Sequence, residues 1–191
     1  MLTPEFLMAA TGCTKQRGEL FKDPLNETIR VYRVTTKRRL APFLANVAHE
    51  SEGLHWTREI WGPTDIQRGY EGRLDLGNTH EGDGPRFKGR GLIQTTGRYN
   101  YRVLTQRLKA RIGDTVPDFE RHPELLETPE WAAISAGDYW DMRALNQLAD
   151  NDDFIGLVRK INRGLMGLPD RRRRLVMAQA ALQKYLPNLE N

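Results

Sequence analysis

A single cysteine, Cys13, occurs in the 191 residues, so no disulfide can form within the chain and packing alone must hold the fold. Its neighbours, Thr11-Gly12 and Thr14, supply no activating base or cation, and it reads as a small buried apolar side chain. Long apolar runs are missing too. None approaches the roughly 20 residues of a membrane span, so stable membrane insertion is not expected. The opening MLTPEFLMAATG carries Glu5 where a secretory leader needs basic residues, and synthesis in the cytoplasm without a signal peptide is the expectation. Repeats, low-complexity tracts and linkers are also absent, while 39% hydrophobic content is enough for one core; residues 1–191 are therefore expected to form one domain.

Two chemistries are excluded by what the motifs lack. His49-Glu50 begins like a zinc-protease motif, but its two histidines must stand four apart on a helix; His49 and His55 stand six apart with Gly53 between them. The glycines of Gly82-Asp83-Gly84 and Gly89-Arg90-Gly91 lack the Gly-Lys-Ser/Thr of a phosphate loop, and Gln94 takes the place of a dinucleotide fingerprint's third glycine. No metal and no other cofactor is expected. What remains is a modest excess of positive charge, +4, with a run from Arg171 to Arg174. Such a surface suits nucleic acid, anionic lipid or the negatively charged envelope of a bacterium, and charge alone does not choose.

Helix signals dominate both ends of the chain. Asp23-Pro24 reads as a cap and first-turn proline, and Thr36 opens a helix whose stripe of Leu40, Leu44, Val47 and Ala48 runs into His49-Glu50. Residues 53–91 hold one helical signal, the capping box Thr64-Asp65-Ile66-Gln67, and an irregular segment of that length points to function. Leu92 to Thr95 reads as a short extended piece, followed by a helix from about Arg98 to Ile112 that Gly113 closes. Later helices are expected to start at Thr128-Pro129, Asp152 and Asp170, the last ending before Pro187. Its arginines, apart from Arg171, are expected to face solvent, although an amphipathic membrane-disturbing tail is the alternative.

Acidic residues crowd the centre: Glu50, Glu52, Glu59, Asp65, Glu71, Asp75, Glu81 and Asp83. Cleaving a glycosidic bond needs one carboxylic acid, kept neutral by apolar surroundings, and one carboxylate to activate water or attack the sugar. Glu50, between the Leu44-to-Ala48 stripe and Leu54, Trp56, Ile60 and Trp61, has neighbours suited to the acid; a solvated helix-end carboxylate is the alternative. Glu59 is one of several choices for the second role, against a surface salt bridge with Arg58 or Arg68. His49 reads as a hydrogen-bonding neighbour or an ordinary buried histidine. Trp56, Trp61, Tyr70, Phe87, Tyr99 and Tyr101 supply rings that stack on sugars or fill a core.

The segments Ala48-His49-Glu50-Ser51, Phe87-Lys88-Gly89-Arg90-Gly91-Leu92-Ile93-Gln94-Thr95-Thr96-Gly97-Arg98-Tyr99-Asn100-Tyr101 and Ile161-Asn162 through Asp170-Arg171-Arg172 resemble glycoside hydrolase family 19. The resemblance runs from about Ala41 to Tyr185. Glu59-Ile60-Trp61-Gly62-Pro63-Thr64 and Tyr70-Glu71-Gly72-Arg73 are similar to the phage-endolysin, lysozyme-like branch rather than to plant-type chitinases. It implies a mainly α (α+β), lysozyme-like domain of two lobes, with a central substrate cleft and a small β/loop insert. It also implies an inverting enzyme with Glu50 as general acid, Glu59 as general base and Thr96 holding the attacking water. His49, Trp61, Gln94, Tyr99, Asn100, Asn162 and Arg171 are implied to contact substrate.

The expected partner is then the glycan of peptidoglycan, cut by a monomer that acts in the periplasm. A holin-type pore would release it if the gene is a phage's, and no nucleic-acid partner is expected. A chitinase of the same mechanism and a non-enzymatic basic binding module are the competing readings.

Overall fold

Threonines set where the first four helices begin. In the computed structural model, which describes residues 1–191, the hydroxyls of Thr3, Thr14, Thr36 and Thr64 each accept a hydrogen bond from the backbone N–H three residues on. They open α1 (Pro4–Thr11), α2 (Lys15–Val31), α3 (Lys37–Glu50) and α4 (Asp65–Arg68). There follow α5 (Asp83–Arg86), α6 (Arg98–Ile112), α7 (Pro129–Met142), α8 (Leu145–Asp150), α9 (Phe154–Ile161) and α10 (Leu168–Tyr185), with short 3-10 turns at Leu74–Leu76 and Pro123–Glu127. Thr36 and Gly113 act as the sequence implies, and Thr64 with Gln67 forms the complete capping box.

Helix α3 is the axis of the core. Every residue from Leu40 to Ala48 is buried, so this helix is covered on all sides rather than along one stripe. It packs against α10, α1 and α8, while α2 lies along α7. Phe43 meets Trp140 edge to face at 5.3 Å, and Gly137 lets α7 approach Tyr32 and Thr28 of α2 more closely than any side chain there would allow. Cys13 is buried, and burial raises its thiol's pKa, in keeping with an inert packing role.

Several sequence expectations are corrected. Asp23-Pro24 does not start a helix: α2 is already running from its Thr14 cap and passes through Pro24. An interior proline costs roughly 3 kcal/mol, and the buried spacing of Phe21, Leu25 and Thr28 across it shows that packing offsets the loss. The α9 cap is Asp153 rather than Asp152, its carboxylate accepting from Gly156 N–H at 2.8 Å. Helix α10 begins at Leu168, which places Asp170 inside the first turn. Leu92–Thr95 is no extended piece. Gly91 and Gln94 take positive φ, and Arg90 and Thr95 close a tight turn with reciprocal backbone bonds of 3.0 and 2.7 Å.

The β part of the expected insert reduces to two isolated antiparallel bridges, Arg58 with Arg90 and Arg90 with Thr95. Backbone turns bond many of the amides of residues 59–98, and side chains meet several of the others. The two oxygens of Glu71 accept from Gly82 N–H at 2.7 Å and Gly84 N–H at 2.8 Å. Buried Asp83 accepts from the N–H groups of Thr79 and His80, both at 3.0 Å, and from the Arg98 guanidinium. Asn78 joins Tyr70 C=O to Arg98 N–H. Buried polar groups must be paired, and here turns and carboxylates together do what a sheet ladder does elsewhere. Glu71 and Asp83 are thereby removed from the list of candidate catalytic acids.

Candidate active site

Glu50 ends α3, where its carboxylate meets the first turn of α10. Its Oε1 accepts from Nη2 of Arg171, a side chain only 1% exposed, while Oε2 has no protein partner. Arg171 also donates to Asn46 Oδ1 at 2.6 Å and to Met166 C=O at 3.4 Å. Asn46 stands one turn before Glu50 on the same face of α3, and it donates in turn to Pro42 C=O at 2.8 Å. The setting of Glu50 is therefore not the apolar one its sequence neighbours imply. Trp56 is tied to Glu52 at 2.8 Å and Ile60 is largely exposed, so a buried cation shapes the site instead.

His49 turns the other way from Glu50 and accompanies it. Its Nδ1 lies 2.8 Å from Asp170 Oδ2, and a carboxylate can only accept, so Nδ1 carries the proton. Asp170 also takes Arg174 Nε at 2.7 Å and the Arg173 guanidinium. Burial alone would raise the Asp170 pKa, but these three donors hold it well below the usual carboxylate range. Tyr139 of α7, which sequence reasoning placed only on a helix, is a neighbour of this cluster: it donates to Ile161 C=O at 3.3 Å. Burial raises its phenol's pKa, opposed by the charge of Arg143, and the charge of Glu50 raises it further. Asn162 follows directly, its Oδ1 accepting from Gly164 N–H at 3.1 Å.

A second cluster forms around Glu59. Neither Arg58 nor Arg68 pairs with it; they bind Glu127 and Asp65. Three neutral donors hold the carboxylate instead: Gln67 Nε2 at 2.9 Å, Tyr70 O–H at 3.4 Å and Gly89 N–H at 3.1 Å. Burial raises the Tyr70 pKa, with the charge of Glu59 adding to it. Gln67, expected only as a cap, is also the side chain that joins the capped turn to Glu59. Its Oε1 accepts from Gly62 and Thr64 N–H, which leaves Nε2 aimed at Glu59 and Ile60 C=O.

Gly89 is the point where this cluster closes. A methyl group there would lie 2.6 Å from Gln94 Oε1 and 3.3 Å from Thr96 Oγ1, so the base candidate, Gln94 and Thr96 converge on a residue without a side chain. Thr96 Oγ1 donates to Gln94 C=O at 3.0 Å, keeping its lone pairs free, and Asn100 Nδ2 donates to Thr96 C=O at 2.7 Å. Trp61 leans on Tyr70 with ring centres 6.2 Å apart, and Tyr99 is half exposed beside Gly77. No hydrogen bond or ion pair joins the Glu50 cluster to the Glu59 cluster. Two sizeable cavities, of about 630 and 780 Å³, lie beside α9–α10 and α2–α8 and contain neither glutamate, so the chemistry of the side chains rather than concavity locates the site.

No family profile matches the chain. Over 103 residues it is 33% identical to a "Glycosyl hydrolase family 19 domain-containing protein" of Haemophilus influenzae, an alignment that takes in 53% of this chain and 46% of that relative. The match thus spans about half the relative's length. Among solved structures, chitinase C from Streptomyces griseus HUT6037 superposes with a TM-score of 0.70 at 20% identity, over 100% of this chain and 78% of that one. A mutant of chitinase C with one glutamate changed to glutamine gives 0.68 at 19% identity over the same shares. The class this fold defines is the helical, lysozyme-like one. In sequence the chain is similar over about half its length to a protein with a glycoside hydrolase family 19 domain, and in fold to chitinase C.

Proposed function

We propose that this chain is an endolysin-type glycosidase that hydrolyses the β-1,4 bonds of peptidoglycan glycan strands with inversion. The observation that carries the reading is that Glu50, fixed through Oε1 by Arg171, keeps Oε2 unoccupied for a leaving oxygen, while both oxygens of Glu59 are held by neutral donors beside Thr96. Glu50 Oε2 delivers its proton to the bridging oxygen as that bond to the anomeric carbon breaks. Water attacks the same carbon from the opposite face and loses its proton to Glu59, with Thr96 Oγ1 orienting it. Inversion needs roughly 6.5–9.5 Å between the carboxyl groups to admit that water, and two clusters with no bond between them suit the requirement. Gln94, Asn100 and Asn162 offer amides to the acetamido groups of amino sugars, and Trp61 and Tyr99 offer rings.

A positive net charge favours a polyanionic wall over neutral chitin, as do the Glu59-to-Thr64 and Tyr70-to-Arg73 segments. Chitin is the second reading because both solved neighbours are forms of chitinase C. On the first reading the enzyme works in the periplasm as a monomer, reaching it through a holin-type pore when phage-encoded. Purified sacculi and chitin are the deciding substrates. Mass analysis of the released reducing ends identifies the linkage, and sacculi left intact while chitin is cleaved would overturn the peptidoglycan assignment.

A further inference from the structure

Consecutive residues of α3 grip consecutive residues of α10. His49 holds Asp170, and Glu50 is held by Arg171. The remaining edge of the His49 ring packs on Gly167, where even a methyl group would overlap Cε1 and Nε2. Both ring nitrogens therefore face protein, and the side chain is 24% exposed, which leaves it poorly placed to bond a sugar. Asp170 sits in the first turn of α10, where a negative charge is favoured by the helix terminus, and Arg174 extends the same grip to Thr11 C=O at 3.0 Å. For Arg171 to leave Glu50 by a turn of this helix end, Asp170 would have to leave His49 first.

We propose that His49 is a positioning residue which, through Asp170, fixes the first turn of α10 and so holds Arg171 on the carboxylate of Glu50. The inference rests on the glycosidase reading of Glu50. It assigns His49 a role in setting the acid rather than in binding substrate. It also explains Gly167: the ring needs the volume that a side chain at that position would fill.

Two amides separate this role from simple packing. The side-chain nitrogen of asparagine falls where His Nδ1 lies, and that of glutamine where Nε2 lies. His49→Asn is expected to keep kcat on sacculi within about threefold of the parent, whereas His49→Gln lowers kcat by at least about tenfold with KM nearly unchanged. Both should melt within a few degrees of the parent. Equal kcat values for the two variants, or a rise in KM alone, would overturn the proposal. A readout independent of catalysis is the nitrogen NMR spectrum of His49 in the unmutated protein, which should show a proton on Nδ1; an Nδ1 without a proton overturns the proposal whatever the variants do. An unmutated chain inert on both sacculi and chitin sinks the hydrolase reading instead, and leaves the tautomer measurement to judge the grip itself.

Discussion

Glu59 and Gly89 hold each other twice: the backbone N–H of Glu59 donates to Gly89 C=O at 2.8 Å, and Gly89 N–H donates back to the Glu59 carboxylate at 3.1 Å. Main chain and side chain of the proposed base are thus anchored on one residue. The first prediction follows from the space beside it. Gly89→Ala places a methyl group against Gln94 and Thr96, so it should cut kcat about tenfold or more while costing about 1–3 kcal/mol of stability, measured by sacculus clearing and urea unfolding. A variant with full activity would show that Thr96 and Gln94 need not stand where they do.

Replacing Glu50 separates chemistry from stability. Glu50→Gln keeps an oxygen for Arg171 but removes the acid and the countercharge, so activity should fall about 10²- to 10⁴-fold with a smaller loss of stability than Glu50→Leu. Glu50→Leu also removes the acceptor for the buried guanidinium and should lose about 3 kcal/mol. Should Gln retain parental activity, the proton does not come from this residue.

Gln67 is expected to matter although it lies on no sequence list of catalytic residues. Gln67→Glu keeps the acceptor for Gly62 and Thr64 but sets a second carboxylate against Glu59, where like charges resist ionising together. The acid limb of the pH–rate profile should move to higher pH. An unmoved limb, in a protein with normal kcat, would remove Glu59 from the rate-limiting protonation.

Acid should loosen residues 71–98 before the helical core. Burial pushes the Asp83 pKa up, but Arg98 and the N–H groups of His80 and Thr79 more than reverse this and hold it below its ordinary value. A depressed carboxylate contributes stability that is present above its unfolded pKa, about 3.9, and is lost as pH falls through the lower folded value. Asp83→Asn should weaken this pH dependence below about pH 4 and cost roughly 2–3 kcal/mol at neutrality. Hydrogen exchange at Thr79, His80 and Gly84 across pH 3–7 reads the effect, and protection independent of pH would contradict it.

Helices α3, α4, α6 and α7 were legible because their signals are local. The Thr36 cap, the Thr64 capping box, the Leu40-to-Ala48 stripe and Gly113 each act within one or two turns, whereas the Thr3 and Thr14 caps that open α1 and α2 went unread. Pro24 misled because its local preference was outweighed by packing that involves α1 and α7, which no short window contains. At the site, Glu59, Gln94 and Thr96 stand together around Gly89, but the partner of Glu50 lies 121 positions along the chain. Apolar neighbours in sequence therefore suggested a greasy setting where a buried arginine stands. Asp170 was read as a helix start for the same reason: its bond to His49 depends on how α3 and α10 meet.

The region between Glu59 and Arg98 has almost no strand pairing, since tight turns bond many of its amides and Glu71, Asn78 and Asp83 accept from five others. It therefore offers no long open row of backbone donors and acceptors on which a neighbouring molecule could template growth. A lysate crowded with partly folded chains should be a forgiving environment for this half of the protein, and self-association, where it occurs, should be sought on exposed side chains such as Ile66 and Leu74.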